Sequence, residues 1–394
     1  MSRAFLPAVP YAAISMVQKR HGAPRRRSEN ELGMTLSTFG LFLATHILGA
    51  LGGAGAYALG VPLAWMIGSL VVTAIITLSG FPTTTRRVCR NGGVLVLLTG
   101  IGLTFTPSAG ETTIRLLPLI LIAAVATLLI GALASLLLAR LGRIDRATAF
   151  FCSVPGGPAE MSVLGARQGA ELAPIAISQL LRIVCIVLVI PPTLTVLGMR
   201  GDFTTSFPDL GFHPLGLVVT LGVSLAASLA LVKLKVNSAF LIGPLGVGIL
   251  LGFTEAGLST VPRWMMMGSQ VFMGVFLGAQ FTPSVMRRMR RFLPVAIGNV
   301  FLVTGGCALL GTLIHFFDEE SVPTMILATA PGSVTEMSIT AQALGFNVPV
   351  VTAFHVIRIL LVIILVTPAF NVLRAAGVIA PADPELLRNT KAAE

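Results

Sequence analysis

Between Leu116 and Ala139 the chain reads LLPLILIAAVATLLIGALASLLLA, an apolar run without a single charged residue. As a helix rising about 1.5 Å per residue, such a run is long enough to cross the hydrocarbon of a bilayer. Comparable runs recur along the sequence. Spans are predicted at 36–58, 61–80, 92–106, 116–139 and 173–197, and again at 214–232, 238–254, 265–282, 293–316 and 349–374. Two further apolar segments, 147–168 and 322–343, contain helix breakers. The residues are 55% hydrophobic and only 11% charged, against about a quarter charged in soluble domains. The pattern predicts an all-α polytopic membrane protein and lacks the polar alternation of an outer-membrane barrel. Cys89, Cys152, Cys185 and Cys307 are scattered without paired spacing, so neither a disulfide framework nor a metal site is expected.

The formal net charge of +11 does not indicate nucleic-acid binding. The basic residues sit in short loops between apolar runs, as in the cytoplasmic loops of inner-membrane proteins, and no segment is long enough for a soluble basic domain. Residues 1–35 read as a basic cytoplasmic tail with no small-residue cleavage site, so a cleaved signal peptide is not expected.

The chain repeats itself. FTPS occurs at Phe105–Ser108 and at Phe281–Ser284; PGGPAEMS from Pro155 is answered by PGSVTEMS from Pro331. Gly169 is answered by Gly345, Arg182 by Arg358, Pro118 by Pro294 and Pro192 by Pro368. Every pair has the spacing that separates Arg182 from Arg358. AWMIG around Gly68 answers AFLIG around Gly243 with an offset of one residue. The expected organisation is membrane repeat 36–198, linker 199–213, membrane repeat 214–374 and C-terminal tail 375–394.

Charge sets the direction of each repeat. With the N-terminus inside, Arg86, Arg87, Arg90, Arg140, Arg143 and Arg146 fall inside. Lys233, Lys235, Arg287, Arg288, Arg290 and Arg291 also fall inside, but only if the second repeat starts outside. Of 27 Lys and Arg, Arg182 and Arg358 lie within spans, and only Arg115, Arg200 and Arg263 face outward. The stretch Phe316–Val322, opposite in the repeat to Arg140–Arg146, carries only the acids Asp318, Glu319 and Glu320. Inverted repeats follow, each with an odd number of crossings. Five spans satisfy this if 147–168 and 322–343 enter and leave on one side.

Each breaker segment then reads as a re-entrant hairpin: a short helix to Val154, a turn at Pro155-Gly156-Gly157, and a second short helix from Pro158. Glycine permits the turn and proline suits a first helical turn. Irregular backbone at membrane depth survives only where protein or a wet cavity covers it. Paired broken elements in inverted halves point to a transporter's substrate site.

The paired PGG-x-x-EMS and downstream Arg-Pro pattern, covering about 36–374, resembles the AbrB family of bacterial inner-membrane proteins. That family is built on an AbrB duplication domain, is often labelled an ammonia monooxygenase, and is distinct from the small DNA-binding regulator of the same name. The resemblance implies a fold and a bacterial inner-membrane location. At fold level, five spans with a Gly-rich hairpin in two inverted halves are similar to the sodium–glutamate and 2-hydroxycarboxylate symporters.

Candidate substrate-binding residues are Pro155, Gly156, Gly157, Glu160, Gln179 and Arg182, with Pro331, Gly332, Ser333, Thr335, Glu336, His355 and Arg358 in the second copy. A carboxylate at membrane depth is costly and faces a cavity or a partner. Glu160 and Glu336 therefore read either as proton or cation carriers or as ion-pair partners of Arg182 and Arg358. The arginines suit a substrate carboxylate or phosphate bidentately, or those same glutamates. Gln179 and His355 precede the arginines by three positions and share their helical face. N–H groups opening the second hairpin helices attract anions. Ser333 and Thr335 replace Gly157 and Ala159, so the two copies differ chemically. Thr106, Ser108, Thr282 and Ser284 are further candidates at the ends of the third spans. The run GALGGAGAYALG from Gly49 to Gly60 reads as close helix packing or a homodimer face.

A copper or iron monooxygenase would need clustered imidazoles or carboxylates, but His21, His46, His213, His315 and His355 are dispersed. No Walker loop is present, and neither a catalytic residue nor a cofactor is expected. The expected function is secondary transport of a small anionic organic solute by alternating access, coupled to H⁺ or Na⁺. The alternative is a membrane-embedded regulator or sensor influencing gene expression.

Overall fold

The computed structural model describes residues 36–201, 211–236, 238–256 and 258–379. The N-terminal tail (1–35), most of the linker and most of the C-terminal tail lie outside them. The described residues form fifteen helices and no strand.

In the first half these are α1 (Leu36–Ala58), α2 (Ala64–Leu78), α3 (Arg87–Gly102), α4 (Pro107–Gly142), α5 (Arg146–Ser153), α6 (Pro158–Arg167) and α7 (Leu172–Val196). In the second they are α8 (Pro214–Lys233), α9 (Ala239–Phe253), α10 (Arg263–Gly278), α11 (Pro283–Arg288), α12 (Leu293–His315), α13 (Val322–Thr329), α14 (Val334–Leu344) and α15 (Val348–Ala375). Six of them, α1, α4, α7, α8, α12 and α15, are long and apolar enough to cross a membrane. Their outer faces expose residues such as Leu133 (69%) and Leu309 (63%), which only lipid would tolerate in such numbers. The chain is a multi-pass membrane protein.

Four predicted spans are short helices, three of them shorter than expected and the fourth shifted to start at Arg87 rather than 92. α2 and α9 have 15 residues, and α3 and α10 have 16, about 22–24 Å of helix. They work as a buried central layer. α2 packs on α10 and α9 packs on α3, while α3 and α10 also meet each other. The crossings are tight: a Cβ on Gly102 would lie 2.7 Å from Gly248 Cα, and one on Gly278 would lie 2.6 Å from the Leu70 carbonyl. The small-residue run of α1 is used within the chain, where a Cβ on Gly68 would lie 2.1 Å from the Gly52 carbonyl.

α4 departs from prediction most. It starts at Pro107 rather than 116 and runs 36 residues through Pro118, about 54 Å. Its second-half counterpart is interrupted. α11 stops at Arg288 and α12 resumes at Leu293, with Pro294 in the first turn. Arg287, Arg288, Arg290 and Arg291 would stack like charges at i, i+3 and i+4 in a continuous helix, and the chain breaks there. The FTPS copies begin helices rather than end them. Thr106 is the N-cap of α4, accepting from the Ala109 N–H, and Thr282 occupies the same place before α11. Their hydroxyls meet Ser108 at 2.9 Å and Ser284 at 3.3 Å. They play a helix-start role and are not brought to the breaks.

Candidate functional site

The site is built on two interrupted helices. Asp145 caps α5 by accepting from the Thr148 N–H at 2.7 Å. α5 ends at Ser153, the turn passes through Pro155-Gly156-Gly157, and α6 starts with Pro158 in its first turn. Ser321 caps α13 in the same way, and the chain turns at Pro331-Gly332-Ser333 before α14. At 8 and 10 residues, α5 and α6 are about 12 and 15 Å long, too short to span alone.

Each hairpin returns to where it started. The Glu171 N–H, just before α7, donates to the Thr148 hydroxyl at 2.8 Å in the first turn of α5. In the second half Asn347 Nδ2, just before α15, donates to Glu320 Oε1 at 2.7 Å, just before α13. The breaker segments are thus folded back on themselves rather than stretched across the bundle.

Breaking a helix leaves carbonyls without N–H partners. Arg182, in the middle of α7, donates from Nη1 to the Val154 carbonyl at 3.1 Å and from Nη2 to the Gly156 carbonyl at 2.7 Å. Arg358 of α15 does the same to Ala330 and Gly332. The sequence separations, 28 and 26 residues, are identical in the two halves. Both arginines are buried, at 5% and 3% exposure. Helix α12 holds both hairpins: Asn299 Nδ2 donates to Ser153 Oγ at 3.1 Å, and Thr329 Oγ1 donates to the Cys307 carbonyl at 2.8 Å.

The expected ion pairs of Glu160 with Arg182 and Glu336 with Arg358 are replaced by these backbone contacts. The reason is positional. The guanidinium reaches the negative, C-terminal end of the first short helix, whereas the glutamate stands three residues past the turn, at the positive start of the second. Glu160 accepts from the Ser238 hydroxyl. Its Oε2 also fills the space beside Gly157, where a Cβ would lie 1.9 Å away. Ser238 precedes α9 with φ 58°, and Leu63 precedes α2 with φ 50°; the first half has no hydroxyl at that position. Glu336 is 3% exposed, and its Oε2 has no hydrogen-bond partner among the described residues.

Gln179 joins the latch, its Nε2 donating to the Phe151 and Val154 carbonyls at 2.9 and 3.2 Å. His355 stands in the equivalent place: its Nδ1 bonds the Val351 carbonyl of its own helix at 2.8 Å and its ring lies by the Ala330 carbonyl, the counterpart of Val154, although its buried Nε2 completes no hydrogen bond among the described residues. Pro155 and Pro331 are buried at the turns. Gly156 and Gly332 lie under Met161 and Met337, whose side-chain atoms a Cβ would approach within 2.4 and 2.7 Å. The methionine of each EMS motif therefore roofs its own turn. Ser333 is the N-cap residue of α14 without a side-chain cap bond, and Thr335 is buried in its first turn. Ser238 and Asn299 are site residues that the motifs do not reveal. The only sequence signal for Ser238 is a polar residue where the other copy has Leu63.

Residues 65–374 match the family described as "Transition state regulatory protein AbrB". A Bacillus subtilis (strain 168) relative named "Uncharacterized protein YhjN" is 28% identical over 60% of this chain and 66% of its own length. "Putative regulator AbrB" of Escherichia coli (strain K12) is 24% identical over 80% of this chain and 91% of its own. Among solved structures, the sodium proton antiporter MjNhaP1 from Methanocaldococcus jannaschii at pH 8 matches 84% of this chain and 97% of its own, at 16% identity. That superposition is loose, with a TM-score of 0.28. With the family match running from α2 to the end of α15, the chain belongs to the AbrB family.

Proposed function

We propose that this protein is a secondary transporter of a small anionic organic solute, working by alternating access in a bacterial inner membrane with its N-terminus inside. Residues 36–198 and 214–374 act as inverted repeats, each dipping one hairpin toward the midplane. The observation that carries the reading is a pair of broken helices, both tied to α12 and each latched by a buried arginine that meets no carboxylate among the described residues. Among the described residues, Nε of Arg182 and Nε of Arg358 are both buried without a hydrogen-bond partner. Each guanidinium thus holds the tip with one edge and keeps a donor for an anion on the other. The backbone N–H groups opening α6 and α14 add positive potential at the same depth.

Glu160 and Glu336 are the coupling groups, binding H⁺ or Na⁺. A buried carboxylate oxygen without a partner, as in Glu336, is costly when ionised, so loading a cation there favours a conformation that keeps it dry.

Counterflow into proteoliposomes tests this. The wild-type protein is expected to exchange at least one small carboxylate, and Glu160→Gln to keep exchange while losing gradient-driven uptake. Absence of exchange and of ligand-induced thermal stabilisation across carboxylates, amino acids, ammonium and Na⁺ would sink the proposal. A sensor influencing gene expression, the reading behind the family's regulatory description, predicts saturable solute binding without flux in the same vesicles.

A further inference from the structure

Two cavities lie end to end along the seam between α4 and α12. One, about 420 Å³, is lined by Arg287, Arg288, Arg290 and Arg291 together with Phe292 and a single carboxylate, Glu171. The other, about 460 Å³, is lined by Leu137, Leu141, Val295, Gly298 and Leu302 among others, with Asn299 its one polar side chain. Asn299 turns its Nδ2 away to Ser153. The linings adjoin on both helices: Leu141 of the apolar cavity precedes Gly142 of the basic one, and Pro294 follows closely on Phe292. The Phe292 ring stands against this junction, where a Cβ on Gly142 would lie 3.3 Å from it.

Charge and apolar surface are therefore sorted along one groove, four guanidiniums at the end of the bundle and aliphatic side chains along the membrane-crossing part of α12. We infer that this groove binds an anionic phospholipid, its phosphate on the arginines between α11 and α12 and an acyl chain along the leucine-lined seam. Arginine suits a phosphodiester because its planar fork donates two parallel hydrogen bonds. Basic pockets beside membrane helices are where anionic headgroups are attracted. A soluble phosphate would have no use for the apolar cavity, and a neutral lipid none for the four charges. The break that ends α11 is thereby more than a response to repulsion. It fans the arginines around one pocket, and a bound lipid would bridge the first half, through α4 and α7, to the second. This inference does not depend on which solute, if any, crosses.

Native mass spectrometry of the full chain, released from vesicles of mixed phosphatidylglycerol and phosphatidylcholine, reads the site directly. Phosphatidylglycerol should be retained in preference to phosphatidylcholine. Arg288→Gln with Arg291→Gln should weaken that retention roughly 30-fold, about fivefold per charge. Gly298→Leu is a second, independent probe. A Cβ there meets nothing within 4 Å, so the larger side chain fills the apolar cavity without a clash and should also displace the lipid. Added inorganic phosphate or glycerol 3-phosphate should leave the bound lipid in place. Equal retention of the two lipids, displacement by free phosphate, or wild-type retention in both variants would each overturn the assignment.

Discussion

Arg182 donates to the Gly156 carbonyl at 2.7 Å, tying the middle of α7 to the turn of a hairpin 26 residues earlier. Arg358 and Gly332 repeat the tie across the same separation. A charge with no counter-ion in hydrogen-bond reach among the described residues is here stabilised by the carbonyl dipoles that a broken helix leaves free.

Removing that donor should be costly. Arg182→Ala and Arg358→Ala are each expected to lower stability by about 3 kcal/mol, because two buried carbonyls lose a charged partner. Arg182→Lys should recover only part of it, since an ammonium cannot reproduce the two-pronged geometry. Thermal unfolding in detergent micelles measures both. A loss as large for Glu160→Ala would indicate that the glutamate, not the backbone, is the arginine's partner.

The return of each hairpin to its starting end makes a labelling prediction. In a cysteine-free background, Arg146→Cys in α5's first turn and Glu171→Cys before α7 should react with a membrane-impermeant maleimide from one and the same face. Both side chains are exposed, so reagent access is not limiting. Reaction from opposite faces would mean that α5 and α6 together span the membrane.

Much of this architecture can be read from the sequence, for definable reasons. The apolar runs announce the helices, and in Pro155-Gly156-Gly157 the missing N–H of proline together with two glycines of high backbone freedom breaks one of them; the helix stops at Ser153 and restarts at Pro158. The arginines' partners are not legible. A sequence displays side-chain charges, so Arg182 near Glu160 suggests an ion pair, while carbonyls freed by a turn carry no letter. Ser238 is hidden for a similar reason: it comes from a loop of the other half, 78 residues away. α4 is misjudged at its start because the expected span begins with the apolar run, after Glu111 and Arg115, whereas the helix itself begins at Pro107 and carries those charges in its first turns.

Glu160 and Ser238 should behave as a coupled pair. A double-mutant cycle of Glu160→Gln and Ser238→Ala is expected to give an interaction energy of about 1 kcal/mol. Gly157→Ala should abolish it, because the new Cβ would take the space of the Glu160 carboxylate. Additive single effects would show that the contact has no energetic weight.

Glu320, in the loop between α12 and α13, has its pKa raised, first by burial and then by Asp318, against the opposing effects of Asn347 and Arg115. The folded state therefore takes up a proton more readily than the unfolded one. This contribution to stability is present below the unfolded-state value and is lost as pH rises through the folded one. Glu320→Gln should consequently be more stable than wild type near neutral pH, with the advantage shrinking on acidification. Melting temperatures of both proteins across that range provide the check, and an advantage that grows in acid would contradict it.

The unbroken 36-residue α4 faces a counterpart cut in two at Arg288. One flank of the molecule is a strut and the other has a joint. Under the alternating access proposed above, motion between two such flanks would not be shared evenly: the strut would serve as the bearing and the jointed side as the moving jaw, so the two orientations of the proposed cleft would start from unequal populations.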